Sequence, residues 1–164
     1  MEPTINSVRK ILVVGSDISP CREVAVELEG VGYQCEKISF GENILSALDV
    51  YAPDALIVGI PVELSGDKHA MEGVFSLLLA ARLQCANLPV MVAGSSKSGN
   101  LSRRTQELGM LGFIGETFQV AVLDELLSSA IDQKRAIDLR VIQSNNLKKR
   151  GSRYPWALRM EAVI

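Results

Sequence analysis

Short apolar runs, each bounded by glycine, proline or polar residues, recur along the chain. The most apolar run extends from Ala55 to Ile60; it follows Pro53-Asp54 and ends at Pro61. Runs of this length between breakers are typical of strands that are buried on both faces. Such a strand requires helices on both sides of its sheet, so we place this run at the centre of the fold.

The pattern of strands and helices predicts one fold class. The predicted strands, in chain order, cover 10–14, 33–40, 54–59, 89–93 and 112–115. Strands that alternate with helices favour right-handed βαβ crossovers and a parallel sheet. We therefore expect an α/β, flavodoxin-like sheet of five parallel strands in the order 2-1-3-4-5, with helices on both faces. The second strand is the most polar and is expected near an edge.

The predicted helices differ in how clearly their ends are marked. Ser19 is expected to be the N-cap of the first helix, with Pro20 as its first residue. The second helix is predicted to begin at Gly41. The later helices are predicted over 71–84, over 101–108 and from Gln119 onward, and a polar loop that contains His69 is predicted over 60–70.

The last predicted helix has no clear end. Leu123 and Leu127 lie on its apolar face, and Ile137 and Val141 continue the same spacing. Neither Gly nor Pro occurs over 119–144, so we expect the helix to run several turns past the body. The projecting stripe either pairs with a second copy or a partner helix, or frays as a solvated tail.

Charge separates the end of the chain from its body. The 164 residues carry a net charge of −2, but the stretch from Lys134 onward contains eight Lys/Arg and only two acidic residues. We expect a body over 1–133 and a basic C-terminal helical extension and tail over 134–164. A basic tail is typical of contacts with nucleic acid, an anionic membrane surface or an acidic partner, and a solvated tail is the plain alternative.

The spacing of the cysteines and the polarity of the first residues indicate where in the cell the protein is expected. Cys21, Cys35 and Cys85 show no CxxC or Cys/His spacing, which supports neither a zinc site nor a disulfide framework. No run approaches the ~18 apolar residues of a membrane helix, and the first residues are polar. We expect a cytoplasmic protein without a membrane span, a metal or a cofactor. Cys21 stands at a helix start, where a thiolate is favoured, so a redox role stays open.

One loop could cradle an anion. It combines small residues and a lysine before a helix, a composition that suits a phosphate or a nucleotide. The candidate ligand-binding residues are Ser95, Ser96, Lys97 and Ser98, with Arg103 and Arg104 following. A flexible polar loop is the alternative that we favour.

Several placed motifs resemble the receiver domain of two-component response regulators, the chemotaxis-type fold, over residues 9–133. The motifs, in order, are Lys10-Ile11-Leu12-Val13-Val14, Gly32-Tyr33, Gly41-Glu42 with Ala47-Leu48, Pro53-Asp54, Pro89-Val90-Met91-Val92 and the stretch 109–118. The resemblance implies a bacterial-type signal-transduction module that exchanges signals with a protein partner, such as a histidine kinase, another regulator or a second copy in a homodimer.

The chain departs from the receiver pattern where that family carries out phosphoryl transfer. Gly59 aligns with the phosphoacceptor Asp, and Gly15 and Ser16 align with the two acids that hold Mg²⁺. Gly94 aligns with the Ser/Thr that follows the fourth strand in receivers, and Glu116 aligns with the Lys that contacts the phosphoryl group. The catalytic, phosphoacceptor and metal residues are therefore all expected to be missing.

We therefore expect a pseudo-receiver, a non-enzymatic module that acts through protein–protein contacts without phosphorylation. By resemblance, its partner surface is expected around Phe113, which aligns with the switch aromatic, and along the last helix. The candidate residues of that surface are Phe113, Phe118, Leu123, Leu127, Ile137 and Val141. Binding of a small anionic ligand at 94–100, or of nucleic acid through the tail, remains the alternative.

Overall fold

The chain alternates strand and helix throughout. A computed structural model describes residues 8–40, 42–65, 67–95 and 99–151. The elements are β1 (Lys10–Val14), α1 (Cys21–Gly30), β2 (Gln34–Ile38), α2 (Ile44–Tyr51), β3 (Ala55–Gly59), α3 (Val62–Ser65), α4 (Lys68–Gln84), β4 (Val90–Ala93), α5 (Gly99–Glu107), β5 (Gly112–Ile114) and α6 (Val120–Gly151).

The sheet confirms the predicted fold class. Its five strands are all parallel and lie in the order β2-β1-β3-β4-β5. β3 lies at the centre, and each of its residues is buried. β2 lies at an edge, as its polar composition predicts, and the long C-terminal helix is present.

Two aliphatic layers cover the two faces of the sheet. Successive residues of a strand point to opposite faces, so Leu56 and Val58 join one layer while Ala55 and Ile57 join the other. The first layer packs under α2, α4 and α5, and the second packs under α1 and α6. This arrangement leaves the carboxyl edge of the strands as the place where loops from both layers meet.

Contacts divide the chain into two compact units, one that ends at Ile131 and one that begins at Asp132. Every residue of the two core layers belongs to the first unit. The described part of the second unit is helical, and within it Lys134 Nζ lies 2.8 Å from Asp138 Oδ2. Leu139 and Ile142 are exposed there.

Two predicted helix starts are wrong, because Ser19 does not cap α1 and Asn43 caps α2. α1 begins at Cys21 after Pro20 and has no side-chain cap, so Ser19 is not its N-cap. α2 begins at Ile44 instead of Gly41, because Asn43 is its N-cap: the Asn43 side chain accepts a hydrogen bond from the Ser46 N–H at 3.2 Å.

The predicted loop over 60–70 is also wrong, since it contains helix. α3 occupies Val62–Ser65, and α4 begins at Lys68. Asp67 Oδ1 accepts a hydrogen bond from the Ala70 N–H at 3.1 Å, which caps the first turn of α4. His69 therefore lies on that first turn, where it is exposed.

Candidate functional site

Glycines end the three central strands at the carboxyl edge of the sheet. Gly15 follows β1, Gly59 is the last residue of β3, and Gly94 follows β4. In open α/β sheets, ligands and chemistry gather at this edge. These positions therefore decide whether the edge can provide a reactive group.

Cys21 fills the space in which a side chain at position 59 would stand. A Cβ built on Gly59 would lie 2.7 Å from Cys21 Cβ, 3.2 Å from Cys21 Sγ and 3.3 Å from Gly15 O. Contacts to a Cβ and a backbone oxygen cannot be relieved by turning a flexible side chain. Any residue larger than glycine at position 59 would therefore require α1 to move.

The edge beside Gly15 is equally closed. Gly15 has a φ of +79°, which L side chains rarely adopt, and a Cβ there would lie 3.1 Å from Gly59 O. The nearby acid, Asp17, is exposed in the turn that follows. Among the described residues, no group of three or more His, Cys, Asp or Glu side chains could hold a metal ion.

Apolar side chains cover the end of β4. A Cβ on Gly94 would lie 2.7 Å from Leu101 Cδ2 and 3.6 Å from Phe113 Cε1. Leu101 is buried and Phe113 is half-buried against the same core layer. Phe113 therefore contributes packing at this edge, and only part of its ring is accessible to a partner.

The two acids that flank β3 in the sequence, Asp54 before it and Asp67 after it, both have structural roles. Asp54 lies before β3, where its Oδ2 accepts a hydrogen bond from the Lys10 N–H at 2.9 Å. Asp67 caps α4. Neither carboxylate is therefore available as a substitute acceptor at the position of Gly59. Beyond β5, Glu116 and Thr117 are exposed in a turn.

The environment of Cys21 contradicts the predicted thiolate. Its side chain is fully buried, and its Sγ donates to the Val14 carbonyl at 3.6 Å. Burial raises the pKa of the Cys21 thiol from 9.0 to about 12, and the charges of Asp17 and Glu23 add to that rise. Burial raises the pKa of this thiol by more than the start of a helix would lower it. The thiol is therefore protonated at neutral pH, and it is inaccessible.

The anion loop is described only at its ends. Ser95 is half-buried, whereas Ser96, Lys97 and Ser98 lie outside the described residues. Arg104 contacts α4: its Nη2 lies 3.0 Å from the Glu72 carboxylate, and its guanidinium lies 5.3 Å from the Phe75 ring centroid. The proposal of an anionic ligand at 94–100 therefore stays a prediction.

Two residues of the predicted partner surface are inaccessible. Leu123 and Leu127 are 4% and 0% exposed and belong to the core layer under α1 and α6, so their assignment to a partner surface is corrected. Their neighbours Val122 and Leu126 are 54% and 43% exposed. The apolar spacing of α6 could not distinguish these two faces, because apolar residues occur on both.

The other candidate residues differ in exposure. Phe118 is half-buried against the same core layer. In the second unit, Ile137 and Val141 are exposed at 36% and 53%. The side chains of the basic cluster 148–150 and the tail 152–164 lie outside the described residues. No helix in the described part of the chain is long and apolar enough to cross a membrane.

Solved structures with the same fold are receiver domains. A response regulator receiver domain protein from Clostridium thermocellum aligns with a TM-score of 0.62 and 16% identity, over 79% of this chain and 99% of that chain. The chemotaxis protein CheY4 of Vibrio cholerae aligns with a TM-score of 0.56 and 23% identity, over 75% and 98%. Full-length FixJ from B. japonicum aligns with a TM-score of 0.57 and 16% identity, over 88% and 68%.

These similarities establish that the chain has the receiver-type fold. No protein-family model matches the chain, and no curated protein sequence matches it. The function is therefore argued from the residues at the carboxyl edge of the sheet.

Proposed function

We propose that this chain is a non-enzymatic signalling module of the response-regulator type, a pseudo-receiver that acts through protein–protein contacts without phosphorylation. The observation that carries the proposal is the contact between Gly59 and Cys21. Gly59 occupies the end of the central strand, where a receiver needs its acceptor Asp, and Cys21 occupies the space of that side chain.

The charges around this edge support the same proposal. Phosphoryl transfer depends on positioning and on stabilisation of developing negative charge by a metal and a cation. A single nearby carboxylate, Asp17, makes a poor Mg²⁺ site, because hard cations are held by several oxygen ligands. Glu116 aligns with the expected cation, so that position supplies no positive charge to an incoming phosphate.

The body surface that we assign to the partner lies on α6. Val122 and Leu126 are one helical turn apart, so their exposed side chains lie on the same face of the helix. This assignment replaces Leu123 and Leu127 and keeps the half-buried Phe113 and Phe118 as neighbouring candidates. The partner would be a histidine kinase, another regulator or a second copy.

A capture experiment tests both parts of the proposal. The full-length chain serves as bait in native lysate, with and without acetyl phosphate and Mg²⁺. We expect the same partner in both conditions, and we expect the double variant V122E/L126E to lose it. The variant V26E/V50E is the matched control, because it adds two acids at exposed valines of α1 and α2.

Two results would contradict the proposal. Capture that depends on acetyl phosphate would show that the module needs phosphorylation. Capture by V122E/L126E at the wild-type level, with the folded state verified by circular dichroism, would show that the partner surface lies elsewhere.

A further inference from the structure

An apolar cavity of about 300 Å³ lies on the side of the sheet that is covered by α2 and α4. Its walls come from β3, α2, α3 and α4, and it reaches inward to Val58 and Leu78, which are both fully buried. Leu64 and Leu77 line it nearer the surface, where they are half-buried. The cavity is thus bordered by several elements and is open to solvent on one side.

Gly73 lines this cavity and is exposed. It lies inside α4, and a Cβ built on it would meet no heavy atom within 4 Å. Glycine is less favourable than alanine in a helix interior, and no close contact requires glycine here. A side chain could therefore be added at Gly73 without a clash between its Cβ and the surrounding atoms.

The chemistry of the walls defines the kind of molecule that fits. Every lining residue is aliphatic, aromatic or glycine, so no side chain could pair with a charge or satisfy a buried polar group. Moving an ion or an unpaired polar group into such surroundings is costly. We propose that this cavity binds a small, uncharged, apolar molecule.

The volume limits the size of that molecule. An apolar protein cavity of about 150 Å³ holds benzene. A cavity of about 300 Å³ therefore suits a fused two-ring aromatic compound or an aliphatic chain of similar bulk.

The shape favours a small molecule over a peptide. A helix that binds in a groove needs anchor sites spaced along several turns. This cavity is one pocket bordered by β3, α2, α3 and α4, so it offers one anchor site. The site is separate from the Val122–Leu126 surface and does not depend on the proposed function.

Titration of the ¹⁵N-labelled full-length chain with indole tests the proposal. We expect saturable chemical-shift changes in the amides of Val58, Val74 and Leu77. Indole-3-carboxylate has the same ring system with a negative charge, and it should bind at least tenfold more weakly. This comparison requires no variant, so it remains valid if a substitution disturbs folding.

A matched pair of variants locates the site. Gly73→Leu would fill the cavity and should weaken indole binding at least tenfold. Gly30→Leu is the control. A Cβ on Gly30 also meets nothing within 4 Å, and Gly30 lies in α1, which does not line the cavity. We expect its affinity for indole to stay within twofold of the wild type.

Three results would overturn the proposal. The first is the absence of localised, saturable shifts up to the solubility of indole. The second is that the protein binds indole and indole-3-carboxylate with equal affinity, or that the wild type and a folded Gly73→Leu variant bind indole with equal affinity. The third is indole binding only after removal of residues 152–164, which would indicate that the chain's own tail occupies the cavity.

Discussion

At the scale of single residues, the pair Gly59 and Cys21 carries the proposal that the carboxyl edge accepts no phosphoryl group. The sequence shows that Gly59 lacks a nucleophile, but the structure adds that the position has no room for one. Cys21 approaches from the start of α1, and its Cβ would lie 2.7 Å from a Cβ at position 59. The glycine at position 59 and the packing of α1 are therefore one structural feature.

Gly59→Ala should destabilise the protein. The added methyl group forces α1 away from the sheet, and overpacking of this kind costs about 1–3 kcal/mol. Urea unfolding followed by circular dichroism measures the loss. Cys21→Gly removes the opposing Cβ, so in the double variant the cost of Gly59→Ala should largely disappear, which a double-mutant cycle reports as a coupling free energy.

Gly30→Ala is the control for that cycle. Its Cβ meets nothing within 4 Å, so the free energy of unfolding should stay constant or rise by at most about 1 kcal/mol. If Gly59→Ala and Gly30→Ala had the same free energy of unfolding, Cys21 could not be filling the space of a side chain at position 59.

The Cys21 thiol should make stability depend on pH in the alkaline range. Its pKa is about 12 in the folded protein and 9.0 in the reference state. Between these values the unfolded thiol loses its proton while the folded thiol keeps it. The free energy of unfolding therefore falls as pH rises above about 9, by about 1.4 kcal/mol per pH unit for this group.

Urea midpoints at pH 8, 9, 10 and 11 measure that slope. Cys21→Ala removes the titrating group, so its free energy of unfolding should fall less steeply over the same range. Parallel curves for the two proteins would show that the thiol is not perturbed by burial.

At the scale of elements, side-chain caps decide where α2 and α4 begin. Asn43 and Asp67 each accept a hydrogen bond from a backbone N–H of the first turn. Asp67→Ala removes the cap of α4 and should lower the free energy of unfolding by about 1 kcal/mol. Urea unfolding provides the measurement. Asp67→Asn keeps the accepting oxygen and should cost much less, and an equal cost for both variants would exclude capping as the cause.

The fold could be predicted because strong patterns determine it. The apolar run of β3 indicates a central strand, and the alternation of strand and helix indicates a parallel sheet. Helix starts were less predictable. Ser19 precedes α1 and Asn43 precedes α2, and both are good caps by residue type, but the local backbone allows only Asn43 to cap its helix. The faces of α6 were unresolved for a similar reason, because Leu123 and Leu126 look alike in sequence.

The candidate site could be predicted in part. Alignment with the receiver pattern identifies Gly15, Gly59 and Glu116 as departures. It cannot reveal that Cys21 and Leu101 fill the space beside Gly59 and Gly94, because these contacts depend on how α1 and α5 pack against the ends of the strands. The cavity beside Gly73 also depends on packing between elements, and its only signal in the sequence is a glycine inside a strongly apolar helix.

At the scale of the whole molecule, the core belongs to the first unit alone. Both core layers end at or before Ile131, so the body should fold without the rest of the chain. We expect a 1–131 truncation to unfold cooperatively in urea with native-like helix content. A truncation that unfolds without a transition would show that the second unit is needed for the body to fold.

We propose that this receiver-type fold does not accept a phosphoryl group. Intact-mass spectrometry of the full-length chain after incubation with acetyl phosphate and Mg²⁺ tests it most directly, with the Vibrio cholerae chemotaxis protein treated in parallel. We predict an unchanged mass for this chain. A stoichiometric gain of one phosphoryl group that is released by hydroxylamine, as an acyl phosphate is, would contradict the account.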